Sequence, residues 1–175
     1  MKKITLDEFN ELLAQTTIKP RLRKELRFVN STESMSNEEW TDRELLNITD
    51  RSGNNGVLIV SLTDNLYIMP YELKTGITSS ATGRSQSIIC DFCQTWQYGN
   101  RSGSITFPKN RDSNISYIVC ADLKCSLHVR NKTEASHTSR SQLREDLTIE
   151  QRIERLESRM ARFISELPFD PIKTT

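Results

Sequence analysis

The chain has 175 residues, a formal net charge of +1 and a hydrophobic content of 35%, which is enough for one domain or two small ones around a modest core. The near-neutral charge gives no overall reason to expect binding to nucleic acid or to a membrane. No stretch approaches the roughly 18 consecutive apolar residues of a membrane span. The start MKKITLDEF has no apolar run that would serve as a signal peptide.

Two capping patterns predict helices in the first part of the chain. Thr5 opens a capping box, and apolar residues follow it at helical spacing, which predicts an amphipathic helix over residues 5–16. A similar pattern at Ser36 predicts a short helix that runs to about Leu46. The basic segment 21–28 between them fits either a short helix or a surface arm.

A β-hairpin is predicted next, from two runs rich in β-branched and aromatic residues, 57–62 and 66–71. The first run is almost continuously apolar, which favours burial on both faces of a sheet. Pro70 places the second run towards a sheet edge, because proline cannot donate to a ladder. Residues 74–87 are small and polar and are predicted to be a linker.

All four cysteines fall in two close pairs, Cys90 with Cys93 and Cys120 with Cys125. Each short turn presents two thiolates to one metal, so the pattern predicts a four-thiolate zinc site. Two disulfides, which are typical of secreted chains, or four buried thiols are the alternatives. A redox role is disfavoured because the first pair lacks a βαβ setting. Four thiolates leave zinc no open position, so the one predicted Zn²⁺ is structural.

The cysteine pairs frame two further predicted strands, 104–107 and 115–119. Asp122 stands where the N-cap residue of a helix is expected, which predicts that Cys125 lies in the first turn of a short helix. The positive end of that helix favours a nearby thiolate, the form that zinc requires.

A second capping box at Thr148 predicts a terminal helix that ends near Leu167, because Pro168 stops it. It follows a polar connection over residues 131–146. An arginine row flanks one edge of its apolar seam and is expected to be solvated. The seam consists of Ile149, Ile153, Leu156, Met160, Phe163 and Leu167.

The residues around the cysteines resemble a known family. Cys90-Asp91-Phe92-Cys93 and the run from Tyr117 to Arg130, which contains C-A-D-L-x-C-S-L, look like the C-terminal treble-clef zinc finger of the elongation factor G-binding proteins. These include the fusidic-acid-resistance proteins of the FusB type. The resemblance covers residues 84–167. It implies a cytoplasmic protein that binds elongation factor G and influences its release from the ribosome.

The resemblance also implies partner-binding residues. Phe92 and Tyr117 stand where aromatic residues of FusB-type proteins contribute to the elongation-factor contact. Phe92 is therefore expected to project from the zinc turn, whereas packing against the fold is the alternative. Arg130, at the end of the same run, is the third predicted partner-binding residue.

A different function class is suggested by charge. The segment from Arg101 to Arg144 contains eight lysines and arginines, both ends included, so a zinc-finger module that binds ribosomal RNA is the alternative function. A third possibility is a structural subunit whose N-terminal part binds something unrelated. His128 and His137 are the only histidines. His128 is expected to be a surface or packing residue, and no catalytic set is recognisable, so neither an enzyme nor a small-molecule substrate is predicted.

The predicted architecture is α+β in two parts. Residues 1–83 form a helical and β-hairpin region, and residues 84–175 form the zinc-finger domain with its C-terminal amphipathic helix.

Overall fold

An antiparallel sheet of six strands forms the centre of the fold. The computed structural model describes residues 1–63, 65–79, 81–137 and 146–173. In these residues the strand order is β1-β2-β3-β6-β7, with β8 beside β3, and β4 and β5 form a second, two-stranded sheet. The strands are β1 Leu45–Thr49, β2 Asn55–Leu62, β3 Asn65–Thr75, β4 Ser87–Ile89, β5 Trp96–Tyr98, β6 Ser102–Pro108, β7 Asn114–Cys120 and β8 Ile172–Lys173.

Helices cover this sheet, most of them short, so the fold is α+β. Capping boxes at Thr5, Ser36 and Thr148 open α1, α4 and α7, as the sequence predicts. None of the helices that the structure describes combines the length and the apolar composition of a membrane span. The helices are α1 Leu6–Ala14, α2 Pro20–Glu25, α3 Phe28–Thr32, α4 Asn37–Thr41, α5 Cys125–Val129, α6 Glu134–His137 and α7 Ile149–Ser165.

The predicted helix from Ser36 to about Leu46 is wrong beyond Thr41. Residues 45–49 instead form β1, which pairs with β2 along its whole length. Leu45 and Leu46 are buried in different hydrophobic clusters. A strand places successive side chains on opposite faces of a sheet. Burial on two sides therefore overrides the local helical pattern.

The predicted hairpin is present as β2 and β3, although Asp64 of its turn lies outside the described residues. β3 is not an edge strand, because β6 pairs with residues 72–75 and β8 with residues 65–66 on its far side. Pro70 is tolerated because it lies in the intervening stretch, where β2 is the only partner among the described strands.

The predicted linker over residues 74–87 begins inside the sheet. β3 continues to Thr75 and pairs with β6, and the backbone amide of Gly76 donates to Ser102 O at 2.8 Å. Thr78 and Ser85 then form an isolated bridge. The sheet is thus continuous across residue 83, and the division of the chain into 1–83 and 84–175 stays a prediction.

The two faces of the sheet are covered by different parts of the chain. Val57 and Ile59 point to the side that α1, α3 and α4 cover. Leu58 and Val60 point to the other side, where the four cysteines and α7 pack. Burial on both faces confirms the expectation for this apolar strand, and the metal centre belongs to the core on the second face.

The terminal helix α7 docks on this second face. Leu156, Met160 and Phe163 are buried as predicted, and Ile164 is buried with them. Ile149, the first residue of the apolar seam, is 40% exposed, so the seam is not buried along its whole length. The helix packs beside α5, and its buried residues lie from Leu156 onward.

Candidate metal centre

The four cysteines converge to one point in the core. Their Sγ atoms all lie within 4.8 Å of one another, and all four side chains are buried. Cys90 Sγ is 3.7 Å from Cys125 Sγ, and Cys93 Sγ is 3.4 Å from Cys120 Sγ. Tetrahedral zinc with Zn–S bonds of about 2.3 Å requires sulfurs about 3.8 Å apart. The thiols are not joined as disulfides, and the donor set fits one structural Zn²⁺.

The first pair lies on a tight turn after β4. The amide of Cys90 donates to Thr95 O at 3.0 Å, and the amide of Gln94 donates to Cys90 O at 2.9 Å. Gln94 has a positive φ of 60°, which lets the chain reverse directly after the second thiol. Asp91 fastens the turn to β7, because its amide donates to Ile118 O and its carboxylate accepts from the Ile118 amide, both at 2.7 Å.

The second pair joins a strand to a helix. Cys120 ends β7 and Cys125 begins α5, so the prediction that Cys125 lies in the first helical turn is confirmed. Leu123, between them, has a positive φ of 52° and donates its amide to Cys120 O. Asp122 is not the N-cap, because Lys124 occupies that position. The Asp122 carboxylate accepts from the Lys124 amide instead.

Polar side chains surround the sulfurs. Gln97 Nε2 donates to Cys120 Sγ at 3.3 Å, and the Thr95 hydroxyl lies 2.6 Å from Cys93 Sγ. Such contacts disperse the excess negative charge of four thiolates around one divalent ion. Sequence reasoning missed both residues. Their only local signal is their place just after the first cysteine pair. Gln97 is buried because its side chain faces the sulfurs from the inner side of β5.

His128 is part of this outer layer and not a surface residue. Its side chain is buried, with Nδ1 3.2 Å from Cys120 Sγ and Nε2 3.3 Å from Asp122 Oδ2. Burial lowers the pKa of His128, but Asp122 and Cys93 outweigh it and raise the pKa to about 9. The side chain bridges a carboxylate and a zinc ligand, as partners of metal ligands commonly do.

The structure places Phe92 inside the protein. Its ring is 1% exposed, with its centroid 5.1 Å from that of Phe163 and 5.9 Å from that of Tyr117. The prediction that Phe92 projects from the zinc turn is therefore wrong. The hydrogen bonds of Asp91 to β7 orient the turn so that the following side chain points towards α7.

The other two predicted partner-binding residues make contacts within the chain. Tyr117 is half-buried, stacks edge-on against Phe163 and donates its hydroxyl to Glu166 at 2.7 Å. Arg130 donates from Nη1 and Nη2 to the two carboxylate oxygens of Glu44 at 3.0 and 2.5 Å. A role for either side chain in binding a partner stays a prediction.

A family model, the FBP C-terminal treble-clef zinc-finger, matches residues 19–167. The match reaches well before residue 84, where the resemblance found from the sequence begins, and so includes β1 to β3 as well as the cysteines. No curated protein and no solved structure matches the chain. The matched span and the buried four-cysteine cluster agree, and the chain belongs to the FBP C-terminal treble-clef zinc-finger family.

Proposed function

We propose that this protein binds elongation factor G and influences its release from the ribosome, as a cytoplasmic, non-enzymatic factor. The observation that carries the proposal is the family match over residues 19–167, which joins the zinc centre and the central sheet in one unit. The FusB-type proteins that the cysteine segments resemble act on this factor.

The metal centre supports a binding role over a catalytic one. Its four thiolates complete a tetrahedral set, which leaves no position for a substrate or an activated water. When bound, zinc supplies cross-links between the turn after β4, the end of β7 and the start of α5. The protein side chains then hold the surrounding surface in one shape, which lowers the conformational cost of binding.

Direct titration tests the proposal. Purified elongation factor G, titrated with zinc-loaded protein in a calorimeter, should give a saturable one-to-one complex. Ribosomes carrying stalled elongation factor G should then lose the factor faster when the protein is added, as followed by sedimentation. A zinc-loaded, folded protein that shows no binding in the calorimeter contradicts the proposal.

Salt dependence separates the proposed function from ribosomal RNA binding. Lys109, Arg111 and Lys124 are exposed on the zinc-finger side, whereas Arg140 and Arg144 lie outside the described residues. Lys132 is already paired with acids of α4 and its C-cap. Binding through phosphates falls steeply as salt rises, and a mainly apolar protein interface is less sensitive. Binding to a ribosomal RNA fragment that weakens steeply as salt rises, together with no binding to elongation factor G, would favour RNA.

A further inference from the structure

The small β4–β5 sheet carries large apolar side chains on its outer face. The register pairs Ile89 with Trp96 and Ser87 with Tyr98, and directly paired residues of antiparallel strands share a face. Ile89 is 60% exposed and Tyr98 50% exposed. The rings of Trp96 and Tyr98 lie nearly parallel, with centroids 6.1 Å apart. We call Ile89, Trp96 and Tyr98 the hairpin face.

The opposite side of the same sheet is held by the metal centre. Gln97, between Trp96 and Tyr98, is fully buried and donates to Cys120 Sγ. Cys90 follows Ile89 directly, and its amide closes the turn to Thr95 O. The backbone beneath the hairpin face is therefore fixed before any partner arrives, which reduces the ordering cost of binding.

Positive charge lies at one end of the hairpin face. Arg84 is exposed and precedes Ser87 by three residues. Because Ser87 pairs with Tyr98, Arg84 flanks the end of the face at which Tyr98 lies. The one acid between residues 81 and 101 is Asp91, which follows the opposite end, and its carboxylate accepts from the amide of Ile118.

We infer that the hairpin face is a docking surface for a protein that offers an apolar pocket beside acidic side chains. The inference rests on the proposed function, so the partner to test is elongation factor G. Aromatic residues and arginine are enriched where protein interfaces bury most. A single-stranded RNA fits less well, because Ile89 has no ring on which a base could stack and Trp96 and Tyr98 already stack on each other.

The test replaces exposed side chains of the hairpin face and leaves the buried residues beneath it unchanged. The double variant Ile89→Ser/Tyr98→Ser should weaken binding of elongation factor G by about 30-fold or more, the loss typical of an interface hot spot. Zinc content and melting temperature should stay at wild-type values, because both side chains point outward. Val29→Ser is the matched control, since Val29 is 49% exposed on α3, and it should bind as wild type does.

The outcomes distinguish this inference from the proposed function. Equal affinity of the double variant and the wild type overturns the docking surface and leaves the proposed function in place. Absence of binding by the wild type overturns both. A variant that keeps its affinity for the factor but loses binding to a single-stranded ribosomal RNA oligonucleotide shows that the face binds RNA instead.

Discussion

At the scale of single residues, Arg130 connects the zinc-finger helix to the N-terminal part of the chain. Its side chain is 13% exposed and that of Glu44 is 8% exposed. Asp42 lies 3.5 Å from the same guanidinium, and the Ser126 hydroxyl accepts from the amides of Glu44 and Leu45. The contact is between residues 86 positions apart in sequence, so its loss should affect stability.

Arg130→Ala should lower the free energy of unfolding by about 3–5 kcal/mol, because it leaves the Glu44 carboxylate buried without its partner. Urea unfolding measures the change. Arg130→Met combined with Glu44→Leu should recover most of the loss, since neither charge is then buried alone. Lys132→Ala, whose ion pairs are solvent-exposed, is the control. An Arg130→Ala protein as stable as wild type would make the pair energetically unimportant.

His128 gives a second prediction at this scale. His128→Ala should weaken zinc binding by about 10–100-fold, because outer-layer partners of metal ligands typically contribute that much. Competition with a chromogenic chelator measures the affinity. The matched variant His137→Ala removes the exposed histidine of α6 and should leave the affinity unchanged. If the two variants hold zinc equally well, His128 serves only to fill space.

At the scale of elements, an aromatic cluster anchors α7 to the rest of the fold. The Phe163 ring contacts those of Phe92, Phe107 and Tyr117, at centroid distances of 5.1, 4.9 and 5.1 Å. The guanidinium of Arg159 donates to Asp91 O at 2.9 Å, so the helix also holds the first zinc turn. Arg159, a member of the predicted solvated arginine row, therefore has a structural contact, and Arg152 and Arg162 of the same row have polar partners in Asn131 and Glu166.

Phe163→Ala should destabilise the protein by about 3–5 kcal/mol, the usual cost of removing a buried phenylalanine. Its melting temperature, measured with zinc present, should fall clearly below that of the wild type. Ile149→Ala, in the exposed first turn of the same helix, should change it little. Equal melting temperatures for both variants would mean that the cluster does not anchor α7.

At the scale of the whole molecule, the metal centre and the sheet share one core. The cysteines pack with Leu58 and Val60 of β2 and with Phe163 of α7 in a single cluster. Zinc binding to structural sites contributes about 10–16 kcal/mol at neutral pH, while a whole domain is stable by only about 5–15 kcal/mol. Loss of zinc should therefore reach beyond the residues next to the cysteines.

Removal of zinc with a chelator should unfold the N-terminal side together with the zinc-finger side. The two tryptophans report on the two sides, since Trp40 lies in the cluster under α1 and Trp96 on the β4–β5 sheet. Fluorescence of Trp40→Phe and Trp96→Phe proteins should give coincident thermal transitions, both shifted down by the chelator. If the chelator leaves the temperature of the Trp40 transition unchanged, the result would instead support two domains that meet near residue 83.

Local patterns in the sequence were enough to predict several parts of the fold. The capping boxes at Thr5 and Thr148, the strands on either side of the polar loop before β7, and each of the two cysteine pairs depend on residues close together in the chain. The propensities, caps and short turns that produce them act within a few residues. The family resemblance around the cysteines depends on the same local runs.

Tertiary contacts decided the remaining features. The sequence alone determined that Phe92 lies between two zinc ligands, but contacts with β7 and α7 turn its ring inward. The same holds for Leu45, whose strand forms only because β2 lies beside it, and for Arg130, which is paired with Glu44 across the fold. Whether a side chain is buried or paired depends on segments distant in sequence, because burial and charge pairing act through space.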